Sequence, residues 1–169
     1  MSCLVSLVET STRIRKMNVK LTIVLIITIA AFSTHAESWN KQQTEVWNIV
    51  LASYEDIDKR DNNWTDKWVT EDAIVWGSST PMPRSRSAIK RWEKFSLDDG
   101  TINNVAEYSP TAIVVHGDTA VAHYYYSNGT TSKKGDQKVT HGRCSDVLVK
   151  DKKSWKFVAW HCADEPKKH

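Results

Sequence analysis

The amino-acid sequence predicts an α+β domain in which three N-terminal helices pack on the concave face of a curved antiparallel or mixed sheet. Between residues 38 and 96, apolar residues recur three, four and seven positions apart, which is the spacing of amphipathic helices. From residue 102 the apolar pattern changes to a period of two, which is typical of strands. Helices followed by a run of antiparallel strands are typical of the α+β class.

Three segments have the features of helices. The first covers residues 38–59, begins with Ser38 as a capping residue and carries an apolar stripe. That stripe consists of Trp39, Val46, Trp47, Val50, Tyr54 and Ile57. A second helix over 64–69 places two tryptophans one turn apart, and a third over about 84–96 begins after Pro83. A short strand at 73–76 separates the second helix from the third.

The rest of the chain divides into strands at turn-forming residues. Strands are predicted over 102–108, 111–116, 119–127, 137–150 and 155–162. Gly117 and Asp118 form a tight turn between two of these strands, and residues 151–154 close the last hairpin. The strand 137–150 is long enough to predict a bend or a bulge. Residues 164–169 are predicted to be a frayed, charged tail.

The first 36 residues are predicted to be a secretory signal. Met17 is followed by Lys20, by the apolar run 21–32, and by small residues up to Ala36. We therefore expect translation to start at Met17, cleavage near Ala36, and a secreted or periplasmic protein with no membrane association afterwards. The alternative is a permanent N-terminal membrane anchor, although the run is shorter than the ~20 apolar residues that span a bilayer.

Removal of this segment leaves a chain of balanced charge. Of the 23 basic and 20 acidic residues, four basic and one acidic lie in the first 36, so 19 of each remain. A surface that binds nucleic acid needs clustered basic residues, and this balance does not support one. We therefore expect no nucleic-acid partner for the domain, which is predicted to cover residues 37–163.

The cysteines predict a disulfide. Cys3 lies in the signal segment, which leaves Cys144 and Cys162 in an oxidising compartment. With a turn at 151–154, these two residues lie opposite each other on neighbouring antiparallel strands, at the separation that a disulfide needs. The alternative is a pair of free, buried thiols.

Several segments, taken in this order, resemble a known superfamily. They are 68–77, 83–89, 116–122, 142–147 and 154–157, together with His161. Their order is similar to that of the nuclear-transport-factor-2-like superfamily, close to its SnoaL-like branch. The resemblance implies a cone-shaped fold with an open-ended pocket, whose function differs widely among members. In ketosteroid isomerase relatives a general-base aspartate occupies the position of Gly77, so that activity is not implied here.

The last predicted hairpin carries the candidate site. The same pairing places Ser145 opposite His161, with Arg143 on the same face, and the resemblance implies that this face lines the cone. Arg143 would anchor a carboxylate or another oxyanion, and His161 would act as a general acid or base. Trp47, Tyr54 and Trp76 would form the aromatic walls. The alternative is a structural role, in which Arg143 and His161 satisfy buried carbonyls or pair with Asp72 or Asp146.

Other histidines add two further hypotheses. His123 lies in a strand rich in tyrosine and is a candidate catalytic partner of His161. His116, His123, His141 and His161 lack the short ligand spacings of compact zinc sites, so we predict no metal and no cofactor.

Three functions are therefore compatible with the sequence. The first is an exported domain that binds a small anionic or aromatic ligand. The second is a lyase, isomerase or hydrolase that uses His161 with Arg143. The third is an assembly module that forms a homodimer through the outer face of its sheet, and this third function is compatible with either of the others.

Overall fold

A computed structural model describes residues 38–78 and 80–166 of the chain. The predicted secretory signal and the last three residues of the predicted tail lie outside these ranges. Within them, three helices precede the four long strands of an antiparallel sheet, which confirms the α+β prediction. No helix in these ranges combines the length and the apolar character needed to cross a bilayer.

The helices lie close to their predicted positions, although the first and third begin later than predicted. They are α1 (Lys41–Asp58), α2 (Trp64–Trp68) and α3 (Arg86–Asp99). The prediction that Ser38 caps the first helix is wrong, because Asn40 occupies the N-cap. Its side chain accepts a hydrogen bond from the backbone N–H of Gln43, whose side chain accepts one from the backbone N–H of Asn40. This reciprocal pair satisfies two amides that have no partner within the helix.

The sheets consist of six strands. Two short ones, β1 (Ile74–Val75) and β2 (Arg84–Ser85), pair with each other. The main sheet contains β3 (Ile102–His116), β4 (Thr119–Thr131), β5 (Gln137–Asp151) and β6 (Ser154–Asp164), in that order and all antiparallel. Two isolated parallel bridges, Val69 to Phe157 and Trp76 to His161, join the segment around β1 to β6.

Two irregularities change the predicted strand pattern. The two strands expected over 102–116 are one strand, with a register shift between Pro110 and Ala112. In the last hairpin, a bulge shifts the register between Val147 and Leu148, so that Leu148 pairs with Phe157 and Val147 pairs with Ala159. The tail prediction is also wrong at its start, because Asp164 belongs to β6.

The core fills the space between the helices and one face of the main sheet, which we call the covered face. Helix α1 packs against β3 and β4, α2 packs against β6, and α3 packs mainly against α2 and β2. The largest fully buried side chains of this core include Trp155, Tyr124, Leu148, Val46 and Val50. The opposite face, which we call the outer face, is not covered by a described helix.

Candidate functional site

The sheet separates the predicted site residues into two groups. Alternate side chains of a strand lie on opposite faces, and in β5 Cys144, Asp146 and Leu148 are buried on the covered face. Arg143 therefore lies on the outer face, where it is exposed, and Ser145 beside it is partly exposed. His161, which pairs with Ser145, is also exposed. The prediction that Arg143, Ser145 and His161 line the cone is wrong in its choice of face.

The outer-face residues still contact one another. The ring of His123 lies 2.8 Å from the hydroxyl of Ser145, measured from Nδ1 to Oγ. The ring centroids of Trp76 and His161 are 6.0 Å apart in an edge-to-face arrangement. None of these four residues lines either of the two cavities that lie beneath the helices. This cluster is a surface feature, and Trp76 is not a wall of the cavity.

Two adjoining cavities lie between the helices and the covered face. The larger one, of about 480 Å³, opens between α3, the end of α1 and the start of β3. The smaller one, of about 190 Å³, lies deeper, against the sheet. Ile57, Trp64 and Trp160 line both, so they form the boundary between the outer and the inner cavity. The combined space is within the range of small-molecule sites.

Helix α3 leaves apolar side chains at the mouth of the outer cavity. Ile89, Trp92 and Phe95 follow one another at helical spacing and all line this cavity. Trp92 is 47% exposed and Phe95 is 59% exposed, and their rings are in edge-to-face contact at 5.3 Å. Large apolar groups left open to solvent around a cavity are typical of a ligand-binding surface.

A chain of hydroxyl groups ends at a carboxyl group on the covered face. The Tyr54 hydroxyl on α1 lies 2.6 Å from the Tyr124 hydroxyl on β4. Tyr124 donates a hydrogen bond of 2.8 Å to Oδ2 of Asp146 on β5. Tyr54 and Asp146 both line the inner cavity, and Asp146 is only 4% exposed. The arrangement offers a ligand polar atoms within an otherwise aromatic space.

Burial dominates the acid–base behaviour of this chain. Loss of solvation raises the pKa of Asp146 to about 7, although the hydrogen bond from Tyr124 lowers it in part. Burial also raises the pKa of both Tyr54 and Tyr124 well above the usual value, with the nearby Asp146 carboxyl adding to the effect. Both phenols therefore stay protonated near neutral pH, whereas Asp146 exchanges its proton there.

The charged side chains around the outer cavity differ in their partners. Five of them have hydrogen bonds within the protein: Asp58 with Asn103, Arg60 with the carbonyls of Leu97 and Thr101, Asp61 with the backbone N–H of Asn63, Glu93 with Thr65, and Asp99 with Thr101. The guanidinium of Arg84 instead stacks on the Trp92 ring, 4.1 Å from its centroid. It has no hydrogen-bond partner among residues 38–78 and 80–166. No described residue competes for its N–H groups, which are placed to bind an anion at the mouth.

Of the predicted aromatic walls, only Tyr54 lines a cavity. Trp47 is part of the buried core, where its ring lies 5.5 Å from that of Tyr124. Sequence reasoning missed Asp146 as a site residue and considered it only as a structural partner. The signal that could have found it is its position: it is an acidic residue with the same strand parity as Cys144 and Leu148, which are apolar.

The predicted disulfide is present, and it lies on the covered face. Cys144 pairs with Cys162 in the hairpin register, and their sulfur atoms are bonded. Cys162 lines the inner cavity. The two sulfurs and the Asp146 carboxylate are the one close grouping of metal-binding side chains in the described ranges, and the disulfide removes both thiolates from it.

Comparison with known proteins gives one family and many structural neighbours. A family model described as the SnoaL-like domain matches residues 46–163. A ketosteroid isomerase-like protein from Erwinia carotovora atroseptica is 14% identical with a TM-score of 0.65, covering 76% of this chain and 100% of its own. A nuclear-transport-factor-2-like superfamily protein from Salmonella enterica serovar Typhimurium is 20% identical with a TM-score of 0.61, covering 75% and 93%. No curated protein matches. At these identities the neighbours establish the fold alone.

We predict that the stability of the protein depends on Asp146 near neutral pH. The folded state binds this proton more tightly than the unfolded state does, since the pKa rises from 3.8 to about 7. The stabilisation is therefore fully present below about pH 4 and is lost as the pH rises to about 7. Asp146→Asn should remove this dependence of the unfolding free energy on pH. At about pH 8 the variant should be more stable than wild type by as much as ~4 kcal/mol.

Urea unfolding at about pH 5 and pH 8 measures this effect. Asp118→Asn, at an exposed position in the β3–β4 turn, is the matched control and should follow the wild type at both pH values. An Asp146→Asn variant that is less stable than wild type at the higher pH would contradict the prediction.

Proposed function

Because this chain belongs to the SnoaL-like domain family, we propose that it binds a small organic molecule with an aromatic body in its two adjoining cavities. The observation that carries the proposal is the Tyr54–Tyr124–Asp146 chain at the inner end of an aromatic space. Apolar walls favour an apolar body, and a few convergent polar groups fix its orientation. The two cavities together hold a molecule of two or three fused rings.

The polar atoms predict two recognition points on the ligand. At the inner end, Asp146 and Tyr54 favour a hydrogen-bonding group such as a carbonyl or a hydroxyl. At the mouth, the Arg84 guanidinium favours a carboxylate, since its planar donors match two carboxylate oxygens. The proposed anion anchor is therefore Arg84 rather than Arg143, because Arg84 lines the outer cavity and Arg143 lines neither cavity.

The proposal includes export. The support is the signal pattern after Met17 together with a disulfide, which persists in oxidising compartments. Secretion or transfer to the periplasm would bring the cavity to ligands outside the cytoplasm.

We expect naphthalene-2-carboxylate to stabilise the protein in a thermal-shift titration, with 2-acetylnaphthalene as its uncharged analogue. Arg84→Gln should weaken binding of the carboxylate about tenfold, since a charge-assisted hydrogen bond contributes about 1.5 kcal/mol or more. The uncharged analogue should bind Arg84→Gln and wild type equally.

Arg143→Gln, on the outer face, is the matched control and should change neither affinity. Weaker carboxylate binding in Arg143→Gln alone would move the site back to the outer face. Absence of binding by a wider panel of fused-ring compounds would reject the cavity proposal.

A catalytic function is the second candidate, and the pKa of Asp146 near 7 favours it. A general acid or base works best when its pKa is close to the working pH. Asp146 replaces His161 as the proposed proton-transfer group, because it faces the cavity. The reaction class that suits a lone carboxyl beside a hydroxyl donor is proton transfer next to a ligand carbonyl.

This candidate predicts that the protein accelerates deuterium uptake into the acetyl group of 2-acetylnaphthalene in heavy water. Proton NMR follows the loss of the methyl signal. Asp146→Asn should abolish the acceleration and retain binding, whereas His161→Gln should behave like wild type. An equal rate with and without protein would leave the chain with a binding function only.

Self-association through the outer face is compatible with either function. Val114, Tyr125 and Val139 on this face are each about half exposed or more, which supports the proposed homodimer.

Tyr125→Arg should convert a dimer to a monomer in sedimentation-velocity experiments, because it places a charge within the contact. Phe95→Arg, at an exposed aromatic on α3, should not. A wild-type protein that sediments as a monomer at all concentrations would reject the homodimer.

A further inference from the structure

We propose that the Cys144–Cys162 disulfide is a redox-active bond that exchanges with small dithiols entering the inner cavity, with Asp146 supplying the proton. Both sulfur atoms and a carboxylate oxygen of Asp146 lie within 4.8 Å of one another. This exchange is independent of the binding function proposed above. The observation behind it is that this disulfide lies beside the Asp146 carboxyl and that one of its two cysteines, Cys162, lines the inner cavity.

The two sulfurs differ in their access to the cavity. Cys144 is 4% exposed and belongs to the core, whereas Cys162 is partly exposed and lines the inner cavity. In thiol–disulfide exchange, a thiolate attacks one of the two sulfurs and bonds to it. The other sulfur is the leaving group. An incoming thiolate therefore attacks Sγ of Cys162, and Sγ of Cys144 is the leaving group.

The leaving sulfur is where a proton is needed. A thiolate formed at Cys144 would be buried, and burial disfavours a charged group. The Asp146 carboxyl is the acid within reach, and it is more acidic than a thiol, whose usual pKa is about 8.5. Transfer of its proton to the Cys144 sulfur gives a neutral thiol and a carboxylate, which then regains a proton from solvent through the cavity.

The balanced reaction has two exchange steps. In the first, one thiolate of the dithiol bonds to Sγ of Cys162, the disulfide breaks, and Cys144 leaves as a thiol after proton transfer. In the second, the other thiol of the reagent, as its thiolate, attacks the reagent sulfur in the mixed disulfide and releases Cys162, which also takes up a proton. Both cysteines are reduced, and the dithiol is oxidised to its cyclic disulfide.

The surroundings of Asp146 make this step depend on pH. Asp146 directly faces Tyr124 from β4, Trp160 opposite it on β6, and the disulfide. Tyr54 from α1 is linked to it by the hydrogen bond between the two tyrosine hydroxyls. Within residues 38–78 and 80–166 Asp146 has no ion pair. An ionised Asp146 would therefore repel both the incoming and the departing thiolate, so reduction is favoured when Asp146 is protonated.

The test is the second-order rate of reduction by dithiothreitol in the folded protein, from about pH 5 to pH 9. Iodoacetamide traps the free thiols, mass spectrometry counts them, and each rate is divided by the thiolate fraction of the reagent. We expect the corrected rate for wild type to fall on the order of tenfold or more as the pH rises through about 7. Asp146→Asn should be slow and independent of pH, and Asp118→Asn should follow wild type.

Tyr124→Phe gives an additional measurement that does not require removal of the carboxyl. Its hydroxyl lowers the pKa of Asp146, so its loss should move the midpoint of the rate profile to higher pH. A corrected wild-type rate that does not change with pH would overturn the proposal. So would a reduction rate that is independent of dithiothreitol concentration, because reduction would then follow unfolding of the domain.

Discussion

The alternation of side chains across β3–β6 determines where every functional group of this domain lies. Helices α1 and α2 cover only one face of the sheet, so neighbouring residues in a strand have opposite environments. Arg143 and Ser145 are open to solvent, whereas Cys144 and Asp146, one position away from them, face the core. The cavity, the disulfide and the buried carboxyl all follow from this single constraint.

The covered face combines a large apolar core with a polar chain that weakens it. Trp155 and Leu148 are fully buried and stabilise the domain, while Asp146 keeps a carboxyl group out of water with a single hydroxyl donor among the described residues. Groups that reduce stability in this way persist where function requires them, and they are typical of binding and catalytic sites. The cavity walls around Asp146 agree with that interpretation.

The sequence predicted the elements of the fold well, because helix and strand periodicities differ and because Gly117 and Asp118 mark a turn. It also predicted the pairing of Cys144 with Cys162, although the turn alone would place Cys144 opposite His161. The bulge at Val158 brings Cys162 into that position. It did not predict the face that the helices cover. A period of two places Arg143 and Cys144 on opposite faces of β5. Apolar residues lie on both faces, Leu148 with Cys144 and Val147 with Arg143, so the pattern is only a weak signal for which face is inside.

Local details were also beyond the sequence. Ser38 and Asn40 are both good capping residues, and only the geometry of the first turn selects Asn40. The role of Arg84 could not be recognised either, because its stacking on Trp92 joins β2 to α3 across the cavity mouth.

The bulge in β6 has a consequence for how such a domain can change during evolution. Val158 is the extra residue, and it shifts the alternation so that Trp160 and Cys162, rather than Ala159 and His161, face the helices. A strand that kept every residue but lacked the bulge would exchange this wall of indole and sulfur for one that presents an imidazole. Deletion of Val158 would instead keep Trp160 and Cys162 inside, so the chemistry of the interior depends on where the strand accommodates its extra residue.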